Sequence, residues 1–164
     1  MDAGPSRSTT PAPRWLSDPE QRAWRAFLES SKVLFDALDR QLQREAGLPH
    51  AYFEILVRLS ETEGRAMRMS DLAERTLSSR SRLSHAVARL EERGWVTREE
   101  CATDRRGQVA TLTDTGFEVL AGAAPGHVET VRRYVIDALT SEQLEQLTAI
   151  GETIIGEVTA SRPR

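Results

Sequence analysis

The forty residues from Leu77 to Gly116, LSSRSRLSHAVARLEERGWVTREECATDRRGQVATLTDTG, decide how the rest of the chain is read. A hydroxyl at Ser78 or Ser79 can accept a first-turn backbone N–H, so a helix opens there. Leu83, Ala86, Val87 and Leu90 then recur three and four residues apart and build one apolar stripe. Gly94 stands where a left-handed residue ends such a helix. Its opposite face collects Ser79, Arg80, Ser81, Arg82, Ser84, His85 and Arg89, donor-rich side chains at a spacing suited to a major groove. After Gly94, the loosely alternating Trp95–Glu100 and the β-favouring Val109–Leu112 predict a hairpin with residues 101–108 as its loop. The stretch therefore reads as a recognition helix followed by a wing.

Flanking segments supply the frame. Residues 1–16 read as a flexible polar arm, rich in Pro, Ser and Thr up to Arg14. Ser17-Asp18-Pro19-Glu20 has capping-box spacing and a first-turn proline, and opens a helix running to about Ala46, closed by Gly47 and Pro49. At 1.5 Å per residue that helix is about 40 Å long, more than one small core can cover, which points to a partner subunit. A second helix is expected near Pro49–Glu61. A loop at Glu61–Arg68, with a short strand at Ala66–Arg68, then leads to a brief helix, Asp71–Thr76, capped by Ser70. Two short helices joined by a turn, the second presenting polar side chains, form a helix-turn-helix. Thr113 starts a further helix to about Leu139, which Pro125-Gly126 should bend or divide. Thr140-Ser141-Glu142-Gln143 is a second capping box, ahead of Leu144, Leu147, Ile150, Ile154 and Val158.

Composition narrows the function classes. The chain has 164 residues, 39% hydrophobic and 29% charged, values of a globular protein with a real core. Its net charge is −3, yet between Arg65 and Arg106 ten arginines face seven acids, a local +3 that leaves −6 for the remainder. Basic charge gathered on the helix and wing is the footprint of a phosphate-contacting surface. Cys101 is the only cysteine, so no internal disulfide can form. No apolar run approaches a membrane span and the N-terminal residues lack a secretory core, so a cytoplasmic location is expected. There is no Gly-rich phosphate loop, no metal-ligand cluster among three histidines and one cysteine, and no nucleophile motif, so neither an enzyme nor a cofactor is expected.

Asp104-Arg105-Arg106-Gly107, then Leu112-Thr113-Asp114-Thr115-Gly116, after an Arg93-Gly94-Trp95-Val96 exit from a Ser/Arg-rich helix, resembles the MarR family of transcriptional regulators. The resemblance extends from about Ser17 to Val158. It implies a mainly α fold with a small β-wing: a winged helix-turn-helix lobe at 48–112 and dimerisation helices at 17–47 and 113–160. It implies a homodimer bound to double-stranded DNA, with Arg106 in the minor groove, Asp104 bracing the loop and Arg105 on phosphate or Asp104. It also implies release of DNA by a small aromatic or anionic effector, for which Trp15, Trp24, His50 and Tyr52 are the candidate residues. Trp24 and Phe53 equally fit the apolar stripes of their helices, where a place in the core is expected. Trp15 and His50 sit at helix starts outside the stripes. The sensing cysteine of some family members lies near the start of the first long helix, so Cys101 reads as an incidental small residue at the hairpin's end. The alternative function is a winged-helix dimer that binds a protein instead of DNA.

Overall fold

A computed structural model describes residues 13–101 and 104–161, the side chains of Asp104, Arg105 and Arg106 lying outside the described residues. The chain divides into two compact units, Met1–Val33 and Leu34–Arg164, with the boundary inside the first helix, α1 (Asp18–Ala46).

In the N-terminal unit the start of α1 is held by Glu20, whose carboxylate accepts from both the Ser17 hydroxyl and the Ser17 backbone N–H at 2.7 Å. These two bonds hold the Glu20 carboxyl below its usual range. The Glu20 half of the expected capping box forms, its carboxylate closing back on the Ser17 backbone N–H. Trp24 and Phe27 stack with centroids 6.1 Å apart, and both stay about half exposed, which corrects the expectation that Trp24 is core.

The second unit carries α2 (His50–Ser60), α3 (Met69–Arg75), α4 (Arg80–Glu92), α5 (Asp114–Val131) and α6 (Ser141–Ala160). Its sheet has the order β1 (Ala66–Arg68), β3 (Asp104–Leu112), β2 (Val96–Cys101), antiparallel throughout. The periodic leucines explain the core. Leu42 from α1, Leu56 and Leu59 from α2, Leu72 from α3, and Val87 and Leu90 from α4 are all fully buried. Ala110 and Leu112 close that core from β3, and Leu120 and Ala123 from α5. Each such aliphatic side chain contributes about 1.5–3 kcal/mol on leaving water.

Three element boundaries differ from the sequence expectation. Ser70 lies inside α3 and its hydroxyl donates to Asp71 Oδ1, while Arg68 takes the cap position without capping the helix through its side chain. The strand β3 begins at Asp104, so the expected eight-residue loop is largely strand; Cys101 ends β2 opposite Asp104, past a register shift at Glu100. The charged segment Asp104–Gln108 has little β-propensity of its own, and pairing with β2 overrides it. Helix α5 passes through Pro125 unbroken, and the change of winding comes later, in a π-helical turn at Arg132–Ile136.

The joint between wing and α5 explains the Leu-Thr-x-x-Gly pattern. Thr113 caps α5 by accepting the Gly116 N–H at 3.0 Å, and its own hydroxyl donates to the Gly94 carbonyl at 2.8 Å. The Thr113 N–H donates to the Trp95 carbonyl at 3.0 Å. Gly116 is needed there because an added Cβ would overlap that same carbonyl oxygen. Gly94, at φ 71°, supplies the left-handed residue that releases α4 into β2.

Candidate nucleic-acid interface

Helix α4 is built to show one face. Ser79 adopts an extended backbone and its hydroxyl accepts the Arg82 N–H at 3.3 Å, which fixes the first turn. Leu83, Val87 and Leu90 are buried, and this locks the helix's rotation about its axis. Ser79, Arg80, Ser81, Arg82, Ser84, His85 and Arg89 are consequently all exposed, so every sequence-predicted residue of this helix lies outside the core. Among the described residues, the side chains of Arg80 and Arg82 make no hydrogen bond or ion pair, leaving two guanidinium groups with their donors unused. Arg89 differs: it pairs with Glu92 at 2.7 Å, and that bond raises its pKa further above the usual arginine range.

Several residues beside this face gave no signal in the sequence. Arg98 of β2 reaches back to α4, its Nη2 2.8 Å from Glu91 Oε2 and its Nη1 3.5 Å from Ser84 Oγ. Side-chain exposures of 21% and 28% for Arg98 and Glu91 place the pair partly out of water, where its attraction is less screened than on an open surface. The hairpin is thereby tied to the recognition helix. Arg68, Ser70 and Gln108 join Arg80 and Ser84 around a concavity of about 310 Å³ between α3, α4 and β3. Only an alignment of three separate elements creates this hollow, so no local pattern announces it. The predicted wing residues Asp104, Arg105 and Arg106 are the first three of strand β3, and their side chains lie outside the described residues.

The four candidate effector residues meet different neighbours. Trp15, 82% exposed, and Trp24 line a shallow concavity of about 280 Å³ with Leu16, Gln21 and Arg25 in the N-terminal unit. In the other unit His50 lies edge-on to Phe35 at 5.6 Å and 5.8 Å from the His127 ring. Phe53 is buried as expected and tilts against His127 at 4.5 Å. Burial, and secondarily the neighbouring His50, lower the pKa of His127. Tyr52 lies near the Arg93 guanidinium, 5.9 Å from its ring centroid, while Arg93 stacks more closely on Trp95 at 4.8 Å. Among the described residues no group of His, Cys, Asp or Glu is placed to hold a metal ion, and no helix is long and apolar enough to cross a membrane.

A largely helical core, a short antiparallel sheet ending in a hairpin, and an exposed cationic second helix after a tight turn define a winged helix-turn-helix protein. Comparison with known proteins narrows the class. Residues 46–107 match a family model described as the MarR family. The chain is 53% identical to Sco3205, a MarR family transcriptional regulator from Streptomyces coelicolor whose crystal structure was solved in complex with DNA, with a TM-score of 0.85 over 89% of this chain and 91% of that one. It is 46% identical to AbsC, a MarR family transcriptional regulator of the same organism, with a TM-score of 0.86 over 91% of this chain and 100% of that one. The transcriptional repressor MprA of Escherichia coli (strain K12) is 28% identical over 126 residues, 76% of this chain and 71% of its own length. The chain belongs to the MarR family of transcriptional regulators. Its relatives are regulators, not enzymes.

Proposed function

We propose that the protein binds double-stranded DNA as a homodimer, at an inverted-repeat operator, and represses transcription until a small aromatic or anionic effector releases it. The observation that carries this reading is the exposed face of α4, with Arg80 and Arg82 unpaired among the described residues and Ser81 and His85 between and beyond them. A surface cation without an internal partner is available to phosphate or to the O6 and N7 acceptors of guanine. Ser79, Ser84 and Arg89 flank this face. On the family pattern Arg106 enters the minor groove, Asp104 braces the loop, and Arg105 pairs with phosphate or with Asp104. The relative solved in complex with DNA supports the assignment.

The dimer is formed by residues 17–47 and 113–160 around the lobe at 48–112. Its support is α6, in which no residue is buried although Leu147, Ile150, Ile154 and Val158 follow a helical stripe. Two-fold symmetry then places the two recognition helices about one DNA turn, roughly 34 Å, apart, which is why the operator is an inverted repeat. Trp15, Trp24, His50 and Tyr52 are the effector-contacting set, and the protein works in the cytoplasm.

Selection of bound fragments from the protein's own genome, followed by titration of the recovered duplex at rising salt, tests this. Affinity falls steeply with log salt because phosphate contacts release counterions. Arg106→Ala weakens binding by roughly tenfold to a hundredfold and relaxes preference where the wing meets the minor groove. Arg7→Ala in the arm changes little. Salt-insensitive or absent duplex binding would point to a protein partner instead.

A further inference from the structure

Two described residues other than glycine hold a left-handed backbone, Arg65 at φ 54° and Leu77 at φ 50°, and they differ in what accompanies that strain. Around Arg65 there are internal contacts. Its guanidinium lies 4.0 Å from the Phe117 ring centroid and 3.0 Å from Asp114 Oδ1. Leu77 has no such compensation, for its side chain is 74% exposed. Its backbone serves the end of α3: the Leu77 N–H donates to the Glu74 carbonyl at 3.1 Å and the Ser78 N–H to the Ala73 carbonyl at 2.9 Å. That hydrogen-bonded ending needs a left-handed residue and is served best by glycine, which has no Cβ to clash. A singly exposed leucine on an ordinary backbone is unremarkable in proteins. Here an apolar side chain is both strained and left in water, and a glycine would remove both penalties.

Its location says what could offset them. Leu77 stands two residues before the Ser79 cap and shares a hollow with Ser70, Ser78, Ser79 and Arg80 at the mouth of α4. A recognition helix meets base edges with its N-terminal residues. Among the bases only thymine offers an apolar group in the major groove, its C5-methyl. We propose that Leu77 is a specificity-determining base contact, its isobutyl group packing on a thymine methyl at the edge of each half-site. Complex formation then buries the surface that the unbound chain leaves exposed. The inference rests on the DNA-binding function proposed above.

The experiment compares the full chain with its Leu77→Gly variant, by thermal unfolding and by fluorescence anisotropy on the genome-selected duplex and on a random-sequence duplex. The variant unfolds at a higher temperature, binds the selected duplex roughly threefold to tenfold more weakly, as expected for one or two buried methyl contacts, and binds the random duplex unchanged. Replacing half-site thymines one at a time by deoxyuridine removes single methyls. One replacement weakens the wild type by that same factor and leaves Leu77→Gly unaffected. Leu77→Asn, which tolerates the left-handed region, reproduces the pattern and preserves the test if glycine loosens the turn. Unchanged affinity of either variant for the selected duplex overturns the proposal, as does the absence of any thymine whose methyl matters only to the wild type. Arg80→Ala is the control: loss of affinity for both duplexes upholds DNA binding even if Leu77 proves silent, whereas a wild type that binds neither duplex overturns both readings.

Discussion

Helices α4 and α6 carry similar apolar stripes and have opposite fates. In α4 the stripe Leu83, Val87, Leu90 is buried within the chain, and what remains outside is serine, arginine and histidine. In α6 the stripe itself is outside, with Ile150 54% and Val158 55% exposed. The first helix is finished by its own chain and presents chemistry suited to a polyanion. The second is unfinished, and a contiguous apolar face of this kind marks a protein-contact surface. One chain thus displays two unlike surfaces, which the proposed function assigns to nucleic acid and to a second copy of the chain.

The contrast can be broken experimentally. The largest effect is expected from Ile154→Glu, which places a charge in the α6 stripe: sedimentation then gives the 18.3 kDa monomer in place of a particle of twice that mass, and tight operator binding is lost. A wild type that sediments as a clean monomer at micromolar concentration would refute the α6 reading altogether. Next in size is a matched pair of truncations. Leu83→Ala lowers the unfolding free energy by about 2–5 kcal/mol at any protein concentration, because it opens a cavity in the chain's own core. Ile150→Ala gives a loss that shrinks as the protein is diluted toward monomer. Denaturant titrations at two concentrations separate them, and identical behaviour would erase the distinction between the helices.

The smallest effect concerns neither stripe but the aromatic cluster of His50, Phe53 and His127. Burial depresses the pKa of His127 relative to the unfolded chain, so the unfolded state binds the proton more readily as the medium turns acidic. Stability from this residue is therefore intact above the ordinary histidine range and declines as pH falls through it. His127→Gln flattens that acid limb of the stability profile. A profile as steep as the wild type's would assign the acid sensitivity to other groups.

The lobe was legible because its signals are local: the Ser79 cap, the three-and-four spacing of Leu83 to Leu90, and Gly94 as the stop all lie within one helix. The capping box at Thr140 is legible for the same reason, and its two bonds form at 3.2 Å and 2.9 Å. What the sequence hides is set by partners distant along the chain. Strand β3 acquires residues 104–108 through pairing with β2, and Arg98 finds Glu91 across a helix-to-strand junction. Pro125 misleads for a related reason, since helical patterning on both sides of it outweighs one missing donor. Trp24 fits the apolar stripe of its helix, yet the described residues build no core around it. The family motif, by contrast, has a physical content the sequence could not state, namely that Thr113 and Gly116 both converge on the Trp95 segment.

That convergence has a mechanical consequence. Because Thr113 bonds both Gly94 and Trp95 while Gly116 lies against the Trp95 carbonyl, the root of the hairpin and the first turn of α5 behave as a single rigid elbow. Strand β1 holds β3 at Val109–Thr111, so only Asp104–Gln108 extend beyond it, an arm of about 16 Å at 3.3 Å per residue. Turning this anchored joint by about 5° sweeps the far end of the arm through about 1–2 Å, a displacement on the scale of an H···O contact.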